Sequence, residues 1–358
     1  MKKFISKFLF ISLPILLVMV AVNYFGDAAE LFNNNYVKKM ASIIYSGNYV
    51  ITNANYDERL YQKECAKKCR APYDVLVIGS SRCLIINTSY FRNQKIFNCS
   101  VSGASIEDLV ALYQMYKEKH MLPKKILFGI DPWFFNKNNN QRRWLPLIDE
   151  YKNFFPKGKL LEVNPGLKNN TKISNYLQLI SPSYFQASLQ NVPNFIINGR
   201  STPIPSKQKY NKTNTRLTDG SLVWGEQMRN ATQDEVDHKA EDYLTSEISI
   251  MENYDALSPK VIEILNSLII DCKKNDISIA FILQPYNPVI NTVIQKTYPM
   301  IFTAQNFINK YAETNHIKVF GSFDPQELGL NKTYFYDGSH GKEAAIKKIL
   351  KPDPWLGY

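Results

Sequence analysis

The chain has 358 residues, of which 45% are hydrophobic and 13% aromatic, so it can bury a sizeable core and form one large domain or two small ones. Its formal net charge is +11, but the basic residues are spread along the chain and form no single stripe, which argues against a nucleic-acid-binding protein. An ordinary solvated basic surface explains this charge, and attraction to anionic lipid headgroups or to an anionic glycan is the alternative.

The N-terminal residues 1–26 contain a long apolar stretch, Phe8–Val22, which its apolar neighbours extend to the ~20 residues needed to cross a bilayer. Three lysines precede the stretch and acidic residues follow it, so the rest of the chain is expected outside the cytoplasm. A cleaved signal peptide is the alternative, but no A-x-A cleavage site follows the apolar core. We therefore predict a single-pass anchor in the cytoplasmic (inner) membrane, a stalk or lead-in over residues 27–72, and an extracytoplasmic or periplasmic domain over 73–358.

The domain over 73–358 shows alternating strand and helix patterns. The predicted strands are Val75–Ile78, Ile96–Val101, Lys125–Ile130, Ile277–Leu283 and Ile317–Phe320. The predicted helices are Ser105–Lys119, Lys260–Lys274, Val293–Thr314 and Gly341–Leu350. Such alternation predicts a three-layer α/β/α sandwich with a parallel sheet of about five strands.

A large insertion over 133–255 follows the third strand and lacks this alternation, although a hairpin is predicted around Asp219-Gly220. We expect it to rise above the carboxyl edge of the sheet as a substrate wall or lid. A structural elaboration or a surface for a partner protein is the alternative.

The five cysteines do not form a metal-binding pattern. Cys65-x-x-x-Cys69 stands alone among lysines, without the second pair or the histidines that zinc needs, so no metal and no cofactor is predicted. A local disulfide between these two residues is possible in an oxidising compartment. Cys83, Cys99 and Cys272 lie in apolar segments and are expected to be core thiols.

Two short motifs carry the predicted chemistry. The first strand ends at Gly79-Ser80-Ser81-Arg82, where small residues allow a tight turn that presents a side chain at the carboxyl edge of the sheet. A serine in that turn can be a nucleophile if a base lies elsewhere in the chain. Asp337 and His340 share one turn before the last helix, so the carboxylate can orient the imidazole as that base.

The order of these motifs resembles the SGNH/GDSL hydrolase superfamily over about Tyr73–Leu350. The resemblance implies that Ser81 is the nucleophile and that Asp337 and His340 complete a catalytic triad. It also implies that the backbone N–H groups of Ser81 and Gly103 line an oxyanion hole. The G-S-S form and the N-terminal anchor are similar to the subgroup that contains the D-alanyl-lipoteichoic acid biosynthesis protein and the alginate O-acetylation proteins, which act beside membrane-bound O-acyltransferases on surface polymers.

One block departs from the family pattern. Where the family has G-x-N-D, with an asparagine that donates to the oxyanion, this chain has Asp131 after Gly129-Ile130. An ionised Asp131 cannot donate a hydrogen bond and would repel a developing negative charge, so it is expected to pair with Arg82 or to be protonated. The departure is compatible with a slow hydrolase, with a transferase that uses another donor, or with a protein that has lost the catalytic activity.

Two further residues are candidates for substrate binding. Arg82, beside the predicted nucleophile, either binds an anionic acceptor or only satisfies Asp131. Trp133 could stack on a sugar ring together with neighbouring aromatic residues, and packing in the core is the alternative. The additional aromatic candidates are Phe134, Phe135 and Trp144.

These features together predict a membrane-anchored extracytoplasmic serine esterase or O-acyltransferase that acts on acyl esters of a cell-envelope polysaccharide or polymer. The predicted partners are an acylated glycan and a membrane-bound O-acyltransferase. A non-catalytic accessory protein of such an O-acyltransferase system is the first alternative. A lipase-like enzyme at the bilayer is the second.

Overall fold

A five-stranded parallel sheet forms the centre of the molecule. The computed structural model describes residues 2–28, 32, 34–52, 55–155, 176–199, 201–246 and 248–358. The strands of the chain are β1 (Tyr49–Ile51), β2 (Val75–Ile78), β3 (Ile96–Asn98), β4 (Lys125–Gly129), β5 (Ile204–Ser206), β6 (Thr215–Arg216), β7 (Leu222–Val223), β8 (Ser278–Leu283) and β9 (Lys318–Gly321). The parallel sheet has the order β3-β2-β4-β8-β9, which confirms the predicted α/β class and the five parallel strands.

Some helices connect the strands of this sheet, and others lie in the N-terminal segment and in the insertion. They are α1 (Lys2–Gly26), α2 (Asn34–Tyr45), α3 (Glu58–Lys68), α4 (Ile106–Glu118), α5 (Ile148–Phe154), α6 (Pro182–Leu189), α7 (Val192–Asn198), α8 (Glu226–Arg229), α9 (Gln233–Ser246), α10 (Pro259–Lys274), α11 (Pro288–Thr297), α12 (Met300–Asn315) and α13 (Glu343–Ile349). The predicted helix over 293–314 is in fact divided between α11 and α12. The break falls at Tyr298-Pro299 because proline disfavours the helical conformation of the residue before it.

Both faces of the parallel sheet are buried. Alternate residues of each strand point to opposite faces, so each strand contributes to two cores. Leu76 and Ile78 of β2 belong to the larger core, which also contains apolar residues of α4, α10 and α12. Val75 and Val77 belong to a smaller core on the other face. That face is covered by α13 and by non-helical segments, including Ile86, so its cover is thinner than a full layer of helices.

A second, four-stranded antiparallel sheet joins the segment before the parallel sheet to the insertion. Its order is β5-β1-β6-β7, so that β1 lies between two strands that come from the insertion. The hairpin predicted around Asp219-Gly220 is formed by β6 and β7. Leu222 N–H donates to Leu84 O at 2.7 Å, and Asn98 N–H donates to Asp219 O at 2.7 Å, which attaches this hairpin to the carboxyl edge of β2 and β3.

The segment predicted as a stalk or lead-in contributes to the larger core. Tyr36 and Met40 of α2 and Tyr61 of α3 are at most 1% exposed. Within the described residues, no helix was found that combines the length and the apolarity needed to span a bilayer. The anchor predicted over residues 1–26 therefore stays a prediction.

Candidate active site

Ser81 follows the central strand β2 at a place where two backbones approach closely. A Cβ atom at Gly79 would lie 3.0 Å from the Gly129 Cα atom and 2.9 Å from Cys83 Sγ, so only a residue without a side chain fits there. Ser80 is buried and caps a short 3-10 helix, Ser81–Cys83, by accepting a hydrogen bond from the backbone N–H of Arg82. Ser81 itself is partly exposed, so its hydroxyl is available to a ligand.

The turn before α13 brings a carboxylate and an imidazole to this hydroxyl. Asp337 Oδ1 accepts hydrogen bonds from the backbone N–H groups of Ser339 and His340, each at 2.8 Å. Asp337 Oδ2 lies 2.8 Å from His340 Nδ1, and His340 Nε2 lies 2.9 Å from Ser81 Oγ. The three side chains therefore form a continuous carboxylate–imidazole–hydroxyl series between residues that are 259 positions apart.

The charge on Asp337 determines which nitrogen of the His340 imidazole carries the proton. Burial raises the pKa of the Asp337 carboxyl, but the neighbouring imidazole and the hydrogen bonds outweigh burial and hold its pKa at about 2. An ionised carboxylate beside Nδ1 favours the tautomer in which Nδ1 carries the proton. His340 Nε2 then has a lone pair directed at the Ser81 hydroxyl and can act as a general base.

Trp224, from the insertion, forms a wall beside the imidazole. Its ring centroid lies 5.5 Å from that of His340 with an interplanar angle of 72°, an edge-on contact. Trp224 directly follows β7, the strand whose Leu222 is attached to the segment after Ser81. Sequence reasoning missed this residue because nothing in its immediate neighbourhood distinguishes it from other aromatic residues; only the predicted hairpin before it was a signal.

Gly103 lies beside Ser81 because it follows β3, the neighbour of β2 in the sheet. Val101 N–H donates to Gly79 O at 3.0 Å, so the two segments run side by side beyond the strands. Gly103 has a φ of +55°, in the left-handed region that favours glycine. Within the described part of the chain, the backbone N–H groups of Ser81 and Gly103 have no hydrogen-bond acceptor, so both are free to bind an oxyanion.

Hydrogen bonds from α3 fix the position of the Gly103 segment. This helix lies in the part of the chain predicted as a stalk or lead-in. Arg59 donates to both carboxylate oxygens of Asp108, at 2.7 and 2.8 Å. The same guanidinium donates to Ser102 O and Gly103 O, each at 3.3 Å. Arg59 is 6% exposed, so this buried pair fixes the carbonyl side of the segment and leaves its N–H side open.

Arg82 and Asp131 form a buried ion pair under the site. Arg82 Nη1 lies 3.0 Å from Asp131 Oδ1, and both residues are 2% exposed. Arg82 also donates to Ser339 O at 3.2 Å and to Pro285 O at 2.8 Å, as well as to Gln284 O. Burial raises the pKa of the Asp131 carboxyl, although Arg82 opposes this shift.

This buried ion pair bears on the roles predicted for Arg82 in substrate binding and for Asp131 in the oxyanion hole. Arg82 connects the Ser81 turn to the His340 turn from inside the protein, and a side chain this deeply buried cannot bind an anionic acceptor. Asp131 is paired with Arg82, one of the two expectations from the sequence, and it offers no hydrogen-bond donor to an oxyanion while it is ionised.

The aromatic residues proposed to stack on sugars lie in the core. Trp133 is 5% exposed, and its indole N–H donates to Ala104 O at 2.9 Å. The other three are equally enclosed: Phe134 is 2%, Phe135 0% and Trp144 7% exposed. A sugar ring cannot reach these faces in this conformation, so Trp133 supports the Gly103 segment instead.

No metal-binding group is found in the part of the chain that the structure describes: no three His, Cys, Asp or Glu side chains there are arranged to hold an ion. All five cysteines are buried free thiols. The structure therefore has no Cys65–Cys69 disulfide, and burial raises the pKa of the Cys65 thiol to about 12, which makes it a poor nucleophile.

The arrangement is suited to acyl transfer. A hydroxyl, an imidazole and a carboxylate lie in hydrogen-bonded series. The backbone N–H groups of Ser81 itself and of Gly103 on the adjacent segment have no acceptor among the described residues. In comparisons with known proteins, no family model and no curated protein matches this chain.

Replacing Gly103 with alanine is expected to lower activity while the protein remains folded. The positive φ costs a non-glycine residue roughly 1–2 kcal/mol, and the new methyl group would lie 2.6 Å from Arg143 Nη1. We expect a fall in kcat for ester hydrolysis of roughly 10-fold or more, because the N–H of residue 103 would shift from the position in which it is expected to bind an oxyanion. A Gly47→Ala variant, with a φ of +81° and open space around it, is the matched control for backbone strain. Unchanged kcat in Gly103→Ala would show that this N–H has no part in the reaction.

Proposed function

We propose that this protein is an SGNH-type serine esterase or O-acyltransferase that acts outside the cytoplasm on acyl esters of a cell-envelope polysaccharide or polymer. One observation carries the proposal: Asp337 Oδ2, His340 and Ser81 Oγ are joined through contacts of 2.8 and 2.9 Å at the carboxyl edge of a parallel sheet. The resemblance in the order of the motifs supports the same interpretation. So do the N–H groups of Ser81 and Gly103, which have no acceptor among the residues that the structure describes.

The reaction proceeds in two halves. His340 Nε2 takes the proton of Ser81 Oγ as the oxygen attacks the ester carbonyl, and the N–H groups of Ser81 and Gly103 bind the resulting oxyanion. When the intermediate collapses, His340 gives the proton to the departing alcohol and an acyl-serine remains. Water or a sugar hydroxyl, deprotonated by the same imidazole, then attacks the acyl-serine. The bond between the acyl carbon and Ser81 Oγ breaks, and His340 returns the proton to Ser81 Oγ, which restores the free enzyme.

The site of action and the partners are inferred from the N-terminal residues and from the resemblance. Three lysines precede the apolar stretch of residues 1–26, and this arrangement favours export of the domain C-terminal to it, whether the stretch is kept as an anchor or cleaved. A membrane-bound O-acyltransferase is the proposed source of acyl groups, and an acylated glycan is the proposed substrate or acceptor.

A turnover assay with two substrates tests this proposal. The full chain is incubated with p-nitrophenyl acetate, which reports acyl-enzyme formation and hydrolysis, and with an O-acetylated polysaccharide, from which released acetate is measured. We expect turnover of the small ester and acetate release or acetyl transfer with the polysaccharide. If neither ester reacts, the protein is better described as a non-catalytic accessory of an O-acyltransferase system; turnover of long-chain esters alone would favour a lipase-like enzyme.

A further inference from the structure

Arg143 lies over the proposed oxyanion hole. A Cβ atom placed on Gly103 would be 2.6 Å from Arg143 Nη1 and 3.4 Å from its Cζ, so the guanidinium covers the face of this glycine. Arg143 is exposed, and its guanidinium has no acceptor and no carboxylate partner among the residues that the structure describes. The side chain is therefore a cation with unused donors next to a free backbone N–H.

The backbone that carries Arg143 is tied to the site. The side chain of Gln141 bridges the two segments: its Nε2 donates to Gly103 O at 2.7 Å, and its Oε1 accepts from the Arg143 N–H at 3.0 Å. On the other side, Trp144 is 7% exposed and packs against Tyr151 with ring centroids 5.0 Å apart. Arg143 thus projects from an anchored segment even though its own side chain reaches solvent.

Two other arginines near this edge already have carboxylate partners. Arg82 is paired with Asp131 in the core, and Arg59 is paired with Asp108 behind the Gly103 segment. Asp131, at the end of β4, offers no donor to the site. A negative charge that develops between Ser81 and Gly103 would therefore meet two backbone N–H groups and, beside them, the guanidinium of Arg143.

We infer that Arg143 is a catalytic residue that donates a charged hydrogen bond to the oxyanion; the inference rests on the proposed function. As Ser81 Oγ bonds to the carbonyl carbon and its proton passes to His340, the π electron pair moves onto the carbonyl oxygen. That oxygen receives hydrogen bonds from the N–H groups of Ser81 and Gly103 and from the Arg143 guanidinium. The electron pair then returns to the carbon, the bond to the alcohol breaks, and the proton on His340 leaves with the alcohol. Charge-assisted hydrogen bonds are about twice as strong as neutral ones. Because the carbonyl oxygen becomes negative only as the reaction proceeds, this bond stabilises the transition state more than the bound substrate.

The kinetics of three variants test the inference. Arg143→Gln removes the charge, Arg143→Lys keeps it, and Arg142→Gln is the matched control because Arg142 is the adjacent exposed arginine. The substrate is p-nitrophenyl acetate, which is neutral, so binding of a substrate anion does not contribute. Loss of one oxyanion donor typically costs roughly 10²–10³ in rate. We expect Arg143→Gln to lose about 10²-fold in kcat with KM within about threefold, Arg143→Lys to recover part of this loss, and Arg142→Gln to behave like the wild type.

Two outcomes overturn the inference. One is a kcat of Arg143→Gln within about threefold of the wild type; the other is an equal loss in Arg142→Gln, which would indicate a general surface-charge effect. A Ser81→Ala variant measured in parallel separates this failure from that of the proposed function. If Ser81→Ala is inactive and Arg143→Gln is fully active, only the role of Arg143 is lost. If Ser81→Ala retains full activity, the proposed function is lost.

Discussion

Replacement of Ser81 with alanine is expected to lower kcat for p-nitrophenyl acetate by roughly 10³–10⁶-fold, the range in which loss of a triad nucleophile falls. The variant lacks the oxygen that is proposed to form the acyl-enzyme, whereas the imidazole and the N–H groups around it remain. Replacement of His340 with alanine should have a similar effect, because Ser81 Oγ would lose the base that lies 2.9 Å from it. The measurement is the steady-state rate of p-nitrophenol release by purified protein.

The double variant and two controls sharpen this expectation. Ser81→Ala/His340→Ala should be no slower than the slower single variant, because residues that act as a unit have non-additive effects. Ser89→Ala and His238→Ala are matched controls, since Ser89 is exposed and the His238 side chain is 81% exposed on α9. Both should retain the wild-type rate. Wild-type activity in Ser81→Ala or in His340→Ala would contradict the proposed mechanism.

Replacement of Arg82 with methionine is expected to destabilise the protein by about 3–5 kcal/mol, the usual cost of breaking a buried ion pair from one side. Asp131 would be left as a buried charge without its partner. The carbonyl groups of Ser339 and Pro285 would also lose a donor. Urea denaturation, followed by the fluorescence of the tryptophans, should show a lower midpoint.

A double variant distinguishes a lost ion pair from a lost side-chain volume. Arg82→Met/Asp131→Leu removes both charges and should recover a large part of the stability, because an apolar pair of similar size is often as stable as a buried ion pair. Lys124→Met serves as a control, since its pairing with Asp74 is on the surface with the lysine side chain 83% exposed. If Arg82→Met unfolds at the wild-type urea concentration, the ion pair has no structural importance.

The parallel sheet was predictable because its strands are short, buried and β-branched, and the limits of Val75–Ile78 agree with the structure. Of the antiparallel sheet, only the β6–β7 hairpin was predicted, from the turn residues Asp219-Gly220. The strands β1 and β5 were not predicted, since three residues are too few for a periodicity to appear. The packing of α2 was missed although Tyr36, Met40 and Ile44 recur at intervals of four and are at most 3% exposed. The many asparagines and lysines of that segment obscured this pattern.

The candidate site was predictable where one short motif carries a whole turn. The residue types of each motif are sufficient to predict a tight turn, at Gly79 to Arg82 and at Asp337 to His340. The alternation of strands and helices indicated that both turns lie at one edge of the sheet. Trp224 and Gln141 were not predictable, because their contacts join segments far apart in the chain and involve residue types common on any surface. The sequence alone does not show whether Trp133 is buried or exposed, since aromatic residues occur both in cores and in sugar-binding sites.

We expect the hydroxyl of Ser81 to be activated by His340 in the folded protein. Labelling of the purified protein with a fluorophosphonate probe, followed by mass spectrometry of its peptides, tests this claim most directly, because only an activated serine reacts rapidly. The expected result is a single label on Ser81 in the wild type and its absence in His340→Ala, with the neighbouring Ser80 unlabelled in both. Absence of a label from the wild type, or equal labelling of Ser81 in His340→Ala, would contradict the claim.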